Sequence, residues 1–258
     1  CTRREIREAS AAPHGELAVT VGEFRYRFDA RCFFQGHRWL LPQLVDRVVG
    51  DAVGERAYDL YGGVGLFALP LARRYREVVV VEGDRIAARY ARRNLRDHRL
   101  GGEVITQAVE SWIRTGLPDG APRVVVDPPR AGLPIEVRAL LSLRRPERLT
   151  YVSCHPAALA RDLAALAEAF TLERLVFLDL FPQTAHLEVV AQLAAKARPA
   201  VVVPPPGPRR AAARPGRRSP GRTGDRPPRP SGKGPGGAPR RGSRPHPPGS
   251  GGRRRPPR

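Results

Sequence analysis

The chain has 258 residues, with 45 Lys and Arg against 25 Asp and Glu, a formal net charge of +20, three cysteines and no methionine. From residue 199 onward there are 16 basic residues against the single acid Asp225, so a tail carries +15 of that charge and the body only +5. No apolar run reaches membrane-spanning length, the start has no signal-peptide pattern, and Cys1, Cys32 and Cys154 show no metal-ligand spacing, which argues against a membrane protein, an exported disulfide framework and a zinc site, and for the cytoplasm.

Lacking methionine and starting at Cys1, the sequence reads as a fragment of a longer product. After a polar start, Leu17 to Phe28 alternates with period two and has a turn near Gly22-Glu23, the pattern of a half-exposed strand pair. Cys32-Phe-Phe-Gln35 follows, then a helix from about Arg38 to Val49. Residues 1–36 are expected to be a small β-rich lead-in, read as the remnant of a central domain. From 37 to 198 strands and helices alternate: strand Ala57–Tyr61, helix Leu66–Arg74, strand Glu77–Glu82, helix Arg85–Arg96. Strands at Glu103–Gln107, Arg123–Asp127 and Arg148–Ser153 continue the series, with a helix at Ala157–Phe170. The alternation predicts an α/β fold with a doubly wound, mostly parallel sheet of seven strands. The last two strands, Leu175–Leu180 and Leu187–Leu193, are joined too closely for a parallel crossover, so they predict an antiparallel hairpin at the sheet edge.

Pro199 to Arg258 is nearly all Pro, Gly, Arg, Ser and Ala. With so few large apolar side chains it is expected to be disordered. Its charge suits a polyanion, and nucleic acid is the expected partner, although a solubilising tail would have the same composition.

Gly63-Val-Gly65-Leu-Phe-Ala68 after a strand fits a loose G-x-G-x-x-A loop, which nicotinamide-binding folds share. Asp59, just before the loop, would repel a pyrophosphate but not a cofactor bearing a sulfonium and an ammonium. Glu82 closes the next strand, at the right distance to accept hydrogen bonds from two ribose hydroxyls. Cys154 stands at a strand C-terminus and is followed by a helix, where parallel sheets place catalytic groups and where a helix N-terminus would lower a thiol pKa.

Four segments, Asp59-Leu-Tyr-Gly-Gly-Val-Gly65, Val124-Val-Val-Asp127-Pro-Pro-Arg130, Tyr151-Val-Ser-Cys154-His-Pro156 and Phe181-Pro-Gln-Thr-Ala-His-Leu-Glu188, resemble the catalytic domain of the RNA uracil-C5 methyltransferases. The resemblance implies a Rossmann-like S-adenosylmethionine methyltransferase fold, with S-adenosylmethionine as cofactor, held by Gln35, Tyr61, Glu82 and Asp127. It also implies a structured RNA substrate, ribosomal or transfer; a monomer is expected, with the oligomeric state left open by the sequence. Gly62 and Leu66 depart from the Cys and the polar residue the family usually carries there, and His155 replaces a common asparagine.

Uracil C5 is a poor nucleophile. A thiolate adding to C6 makes C5 electron-rich enough to take a methyl group, after which a base must remove the C5 proton. Cys154 is the expected nucleophile. Glu188, an acid at the start of an apolar strand, is the expected base, with Asp179 and Asp127 as competing carboxylates. His155 is read as a shaping residue because neighbours in an extended strand point to opposite sides. Arg130 stands where amino-methyltransferases place an aromatic residue, which argues for a ring carbon, and the proline loop lacks the second cysteine expected of a 5-methylcytosine enzyme. Two rivals remain: a catalytically silent RNA-binding module on the same scaffold, and an NAD-dependent dehydrogenase supported only by the glycine loop and Glu82.

Overall fold

The computed structural model describes residues 15–180, 182–184 and 187–198. The expected disordered tail lies outside these residues, as do positions 1–14 and three of the Phe181–Glu188 segment. The period-two segment forms an antiparallel hairpin of β1 (Glu16–Val21) and β2 (Phe24–Asp29), turning at Gly22, whose φ of 57° suits a residue without Cβ. The elements that follow are α1 (Leu41–Val49), β3 (Gly54–Leu60), α2 (Ala68–Ala72), β4 (Tyr75–Glu82), α3 (Arg85–Asp97) and β5 (Glu103–Thr106). Then come α4 (Val109–Gly116), β6 (Arg123–Val126), α5 (Ile135–Arg144), β7 (Arg148–Ser153), α6 (Pro156–Leu166), β8 (Phe170–Leu178) and β9 (Glu188–Ala195).

Seven strands pair in the order β5-β4-β3-β6-β7-β9-β8. The first five are parallel, and β9 inserts antiparallel between β7 and β8. Alternate residues feed two cores. Val78, Val80, Val125, Val152 and Val190 pack with α1, α2 and Leu95 of α3 on one face. Leu60, Val81, Val124, Val126 and Tyr151 pack with α4, α5 and α6 on the other. Burying both faces explains the near-continuous valine runs of β4 and β6.

Three expectations are corrected. The helix following Cys154 ends at Leu166, and Phe170 opens β8, because Phe170 packs into the sheet core where a longer helix would leave it outside. Helices α4 and α5 were not foreseen. The first helix starts three residues later than expected, at Leu41 with Pro42 in its first turn, where a missing N–H is harmless.

The hairpin is fastened to the glycine loop by side chains. Fully buried Asn94 of α3 accepts from Arg27 N (2.9 Å) and donates to Arg27 O (3.0 Å) and Val64 O (2.9 Å). The Tyr26 hydroxyl donates to Leu66 O at 2.9 Å. Asn94→Ala would leave three backbone groups short of a partner, and at about 1 kcal/mol each the expected loss is roughly 2–4 kcal/mol, read as a lower urea midpoint with an unchanged slope.

Candidate active site

In a parallel sheet, loops at the carboxyl ends of the strands converge where the strand order reverses, here between β3 and β6. A cavity of about 690 Å³ opens there. Gln35, Tyr61, Glu82, Asp127, Cys154 and Glu188, the six residues singled out from sequence, all line it. Tyr61, Glu82, Asp127 and Cys154 stand at or just past the ends of β3, β4, β6 and β7. Glu188 reaches the same rim by another route: β9 runs antiparallel to β7 with Val189 opposite Ser153, so the first residue of β9 comes beside the end of β7. The edge hairpin is therefore what brings Cys154 and Glu188 to one wall of the cavity.

The glycine loop turns through Gly63 (φ 53°) and Gly65 (φ 95°), backbone conformations that side chains rarely adopt. Glu82 clasps it: one carboxylate oxygen accepts from Gly63 N at 2.8 Å and the other from Asp84 N at 2.6 Å. A Cβ at Gly62 would lie 2.4 Å from a Val80 methyl, so in this chain Val80 fills the room a larger residue would need. Tyr61 also has positive φ (62°), and its hydroxyl donates to Glu110 at 2.9 Å.

Gln35, held over the cavity by the hairpin, donates to Glu188 Oε2 at 3.2 Å across 153 residues of sequence. Glu188 is fully buried, and burial raises its carboxyl to a pKa of about 7 even though Gln35 pulls it down. Gln35 Oε1 and Glu188 Oε1 have no hydrogen-bond partner among the described residues. A buried acceptor left unpaired is costly, so both atoms are suited to ligand donors. Asp127, pushed well up by burial and by the Glu188 and Asp59 carboxylates, favours its neutral form, and the cavity wall also carries the acids Glu82 and Asp84. Such a wall favours a cation and disfavours a pyrophosphate.

The acids on the cavity wall therefore differ from the one expected from sequence. Asp59 does not line the cavity. It is fully buried below the loop on the α1–α3 face, and burial followed by Glu82 raises it to about 8. The thiol is corrected too. Burial, Glu188 and Asp127 push Cys154 above its usual pKa, outweighing a backbone hydrogen bond and Arg130. His155 caps that helix, its Nδ1 accepting from Ala158 N at 3.1 Å, and it does not line the cavity. Nor does Asp179, which is exposed. Cys32 and Cys154 are both free thiols on the cavity wall.

Sequence reasoning missed two features. Phe33, 75% exposed, stands on the rim with Arg31 and Arg130. Asp162 of α6, fully buried, accepts from Leu133 N (2.7 Å), the Tyr151 hydroxyl (2.6 Å) and Arg138 (3.0 Å), fixing the loop after Asp127-Pro-Pro to the helix after Cys154. A charged residue within the apolar spacing of that helix was the available signal.

The family model described as tRNA (Uracil-5-)-methyltransferase matches residues 13–196. The 23S rRNA (uracil(1939)-C(5))-methyltransferase RlmD of Xylella fastidiosa is 42% identical over 153 residues, 56% of this chain and 33% of that one. The tRNA (uracil(54)-C(5))-methyltransferase of Pyrococcus horikoshii is 36% identical over 168 residues, 65% of this chain and 40% of that one. Among solved structures, the Pyrococcus abyssi tRNA (uracil-54, C5)-methyltransferase in complex with S-adenosyl-L-homocysteine superposes with a TM-score of 0.63 at 32% identity, covering 69% of this chain and 44% of that one. The chain thus spans about a third to two fifths of the length of these curated relatives.

Proposed function

Because this chain belongs to the tRNA (uracil-5-)-methyltransferase family, we propose that it transfers a methyl group from S-adenosylmethionine to C5 of a uridine in ribosomal or transfer RNA, with Cys154 as nucleophile and Glu188 as base. The observation that carries this reading is the meeting of a thiol and a buried, partly protonated carboxyl on one cavity wall, at the ends of β7 and β9.

Glu82, Tyr61, Gln35 and Asp127 are the residues that would hold the cofactor. Its cationic sulfonium fits the acidic wall, and its donors fit the unpaired Gln35 Oε1. When bound, S-adenosylmethionine supplies an electrophilic methyl group. The Cys154 thiol loses its proton to solvent, and the thiolate sulfur forms a bond to C6 of the flipped uracil as the C5=C6 electron pair moves toward C5 and O4. Once C5 carries the methyl group, Glu188 takes the C5 proton. The electron pair left behind re-forms C5=C6 and breaks the S–C6 bond, returning the thiolate. Gln35 holds one Glu188 oxygen, leaving the other to face the base. The basic tail at 199–258 is proposed as an added counterion-release contact to RNA.

Two measurements test the reading. Calorimetry with the full chain should show S-adenosylmethionine binding, weakened by about 1–3 kcal/mol in Glu82→Ala through lost charge-assisted hydrogen bonds. Tight NAD binding without S-adenosylmethionine binding would favour the dehydrogenase. Nucleoside mass spectrometry of RNA incubated with the chain and cofactor should reveal 5-methyluridine. Methyl groups found only on ribose or on exocyclic nitrogen would overturn the reaction proposed.

A further inference from the structure

A second cavity, of about 930 Å³, lies beside the first, against the outer face of α3 and the β1–β2 hairpin. Five of its lining residues are arginines, Arg31, Arg89, Arg92, Arg93 and Arg96, against the three carboxylates Glu16, Asp29 and Asp97. The carboxylates are already engaged. Asp29 holds Arg31 at 2.7 Å, and Glu16 and Asp97 are shared between Arg27 and Arg93. Arg92 donates only to neutral acceptors, Val104 O and the Thr106 hydroxyl. Among the described residues no carboxylate lies within salt-bridge distance of Arg85, Arg89, Arg92 or Arg96.

These four charges are ordered. Positions 85, 89, 92 and 96 follow one another by four, three and four residues, so they share one exposed stripe of α3, with Cβ atoms about 5–6 Å apart between neighbours. At 1.5 Å rise per residue the stripe runs about 16 Å. Like charges at these spacings weaken a helix, so helix stability does not account for the arrangement. A polyanion with regularly spaced charges does.

The stripe is also connected to the reacting cavity. Arg31 lines both cavities, and Asp84, which caps α3 by accepting from Ile86 N and Ala87 N, lines the catalytic one. Arg31, common to both cavities, is where a strand with one base beside Cys154 would reach the stripe. We infer that Arg85, Arg89, Arg92 and Arg96, with Arg31 at the junction, form the track for the phosphate backbone of the RNA substrate. This inference rests on the RNA methyltransferase reading above.

The test is RNA binding by the full chain as a function of salt, using structured transfer-RNA and ribosomal-RNA transcripts and the Arg89→Ala/Arg96→Ala variant. Each lost phosphate contact should reduce the slope of log K against log salt by about one, so the double variant should lose about two. Arg89→Lys/Arg96→Lys should keep the wild-type slope, and S-adenosylmethionine affinity should be the same in all three proteins. An unchanged slope in the alanine variant, in a chain whose Cys154 is still trapped by 5-fluorouridine RNA, would overturn the track and leave the methyltransferase reading standing. Displacement of RNA by poly-glutamate at equal charge concentration would also overturn it, in favour of an acidic protein segment. A wild-type chain that forms no trapped adduct would remove the reading and the track with it.

Discussion

Glu188→Gln is expected to separate methyl transfer from product release. The substitution keeps the shape of the side chain and its contact with Gln35, which donates to Oε2 at 3.2 Å, and removes only the basicity. Cys154 addition and methylation remain possible, but the C5 proton has no acceptor. Single-turnover experiments with radiolabelled methyl donor should then find label locked in a denaturation-resistant protein–RNA band. Free RNA containing 5-methyluridine at the wild-type rate would remove Glu188 from this role. In the wild type the base must be ionised, so release should speed up as pH rises through about 7, the value to which burial lifts this carboxyl, and level off above it. Stability should move the opposite way. An acid whose folded pKa is raised contributes fully below its unfolded value, near 4.5, and loses that contribution as pH rises through about 7. The difference corresponds to about 3 kcal/mol, so Glu188→Gln should unfold at a higher urea midpoint than the wild type at pH 8 and gain little at pH 4.

Cys154→Ala is expected to have the largest effect on turnover. Without sulfur addition to C6, C5 is not nucleophilic, and loss of a covalent nucleophile typically costs on the order of 10⁴-fold or more. Because the thiol is not among the groups proposed to hold the cofactor, S-adenosylmethionine affinity should stay within roughly threefold, less than 1 kcal/mol. A variant that keeps even a tenth of wild-type turnover would rule out the covalent route. The raised thiol pKa adds a pH signature. Burial, Glu188 and Asp127 all hold the proton on sulfur, so adduct formation in the wild type should rise with pH into the alkaline range, while Cys154→Ala shows no such limb.

The mostly parallel sheet, its antiparallel edge hairpin and the place of the candidate site at the strand ends were legible because they depend on local pattern. The valine runs of β4 and β6, the glycine loop and the short connection between the last two strands each carry their own signal within about ten residues. Helices α4 and α5 were not legible. Val109–Gly116 is only eight residues and ends in Thr-Gly, while Ile135–Arg144 leaves Ile135 and Leu143 exposed at 70% and 63% and so lacks a clear apolar stripe. The direction of an acid was also hidden. Asp59 reads as an acid at a strand end that faces a ligand, but its side chain points with Ala57 to the face covered by α1 and α2. The contact between Gln35 and Glu188 could not be read at all, since it depends on the hairpin docking through Asn94 and on β9 inserting beside β7. The thiol pKa was misjudged for a related reason: the helix start at Pro156 is local, but the carboxylates that oppose it come from β9 and from the loop after β6.

The covalent role of Cys154 can be read directly by mass. RNA transcribed with 5-fluorouridine in place of uridine is incubated with the full chain and S-adenosylmethionine, the mixture is denatured and digested, and the cross-linked peptide is sequenced. Fluorine at C5 cannot leave as a proton does, so the expected product is a methylated fluorouridine nucleotide bonded through C6 to Cys154. An adduct on Cys32, the other free thiol of the cavity wall, or formation of 5-methyluridine from ordinary RNA while the fluorinated RNA is captured by no cysteine of the protein, would contradict the account.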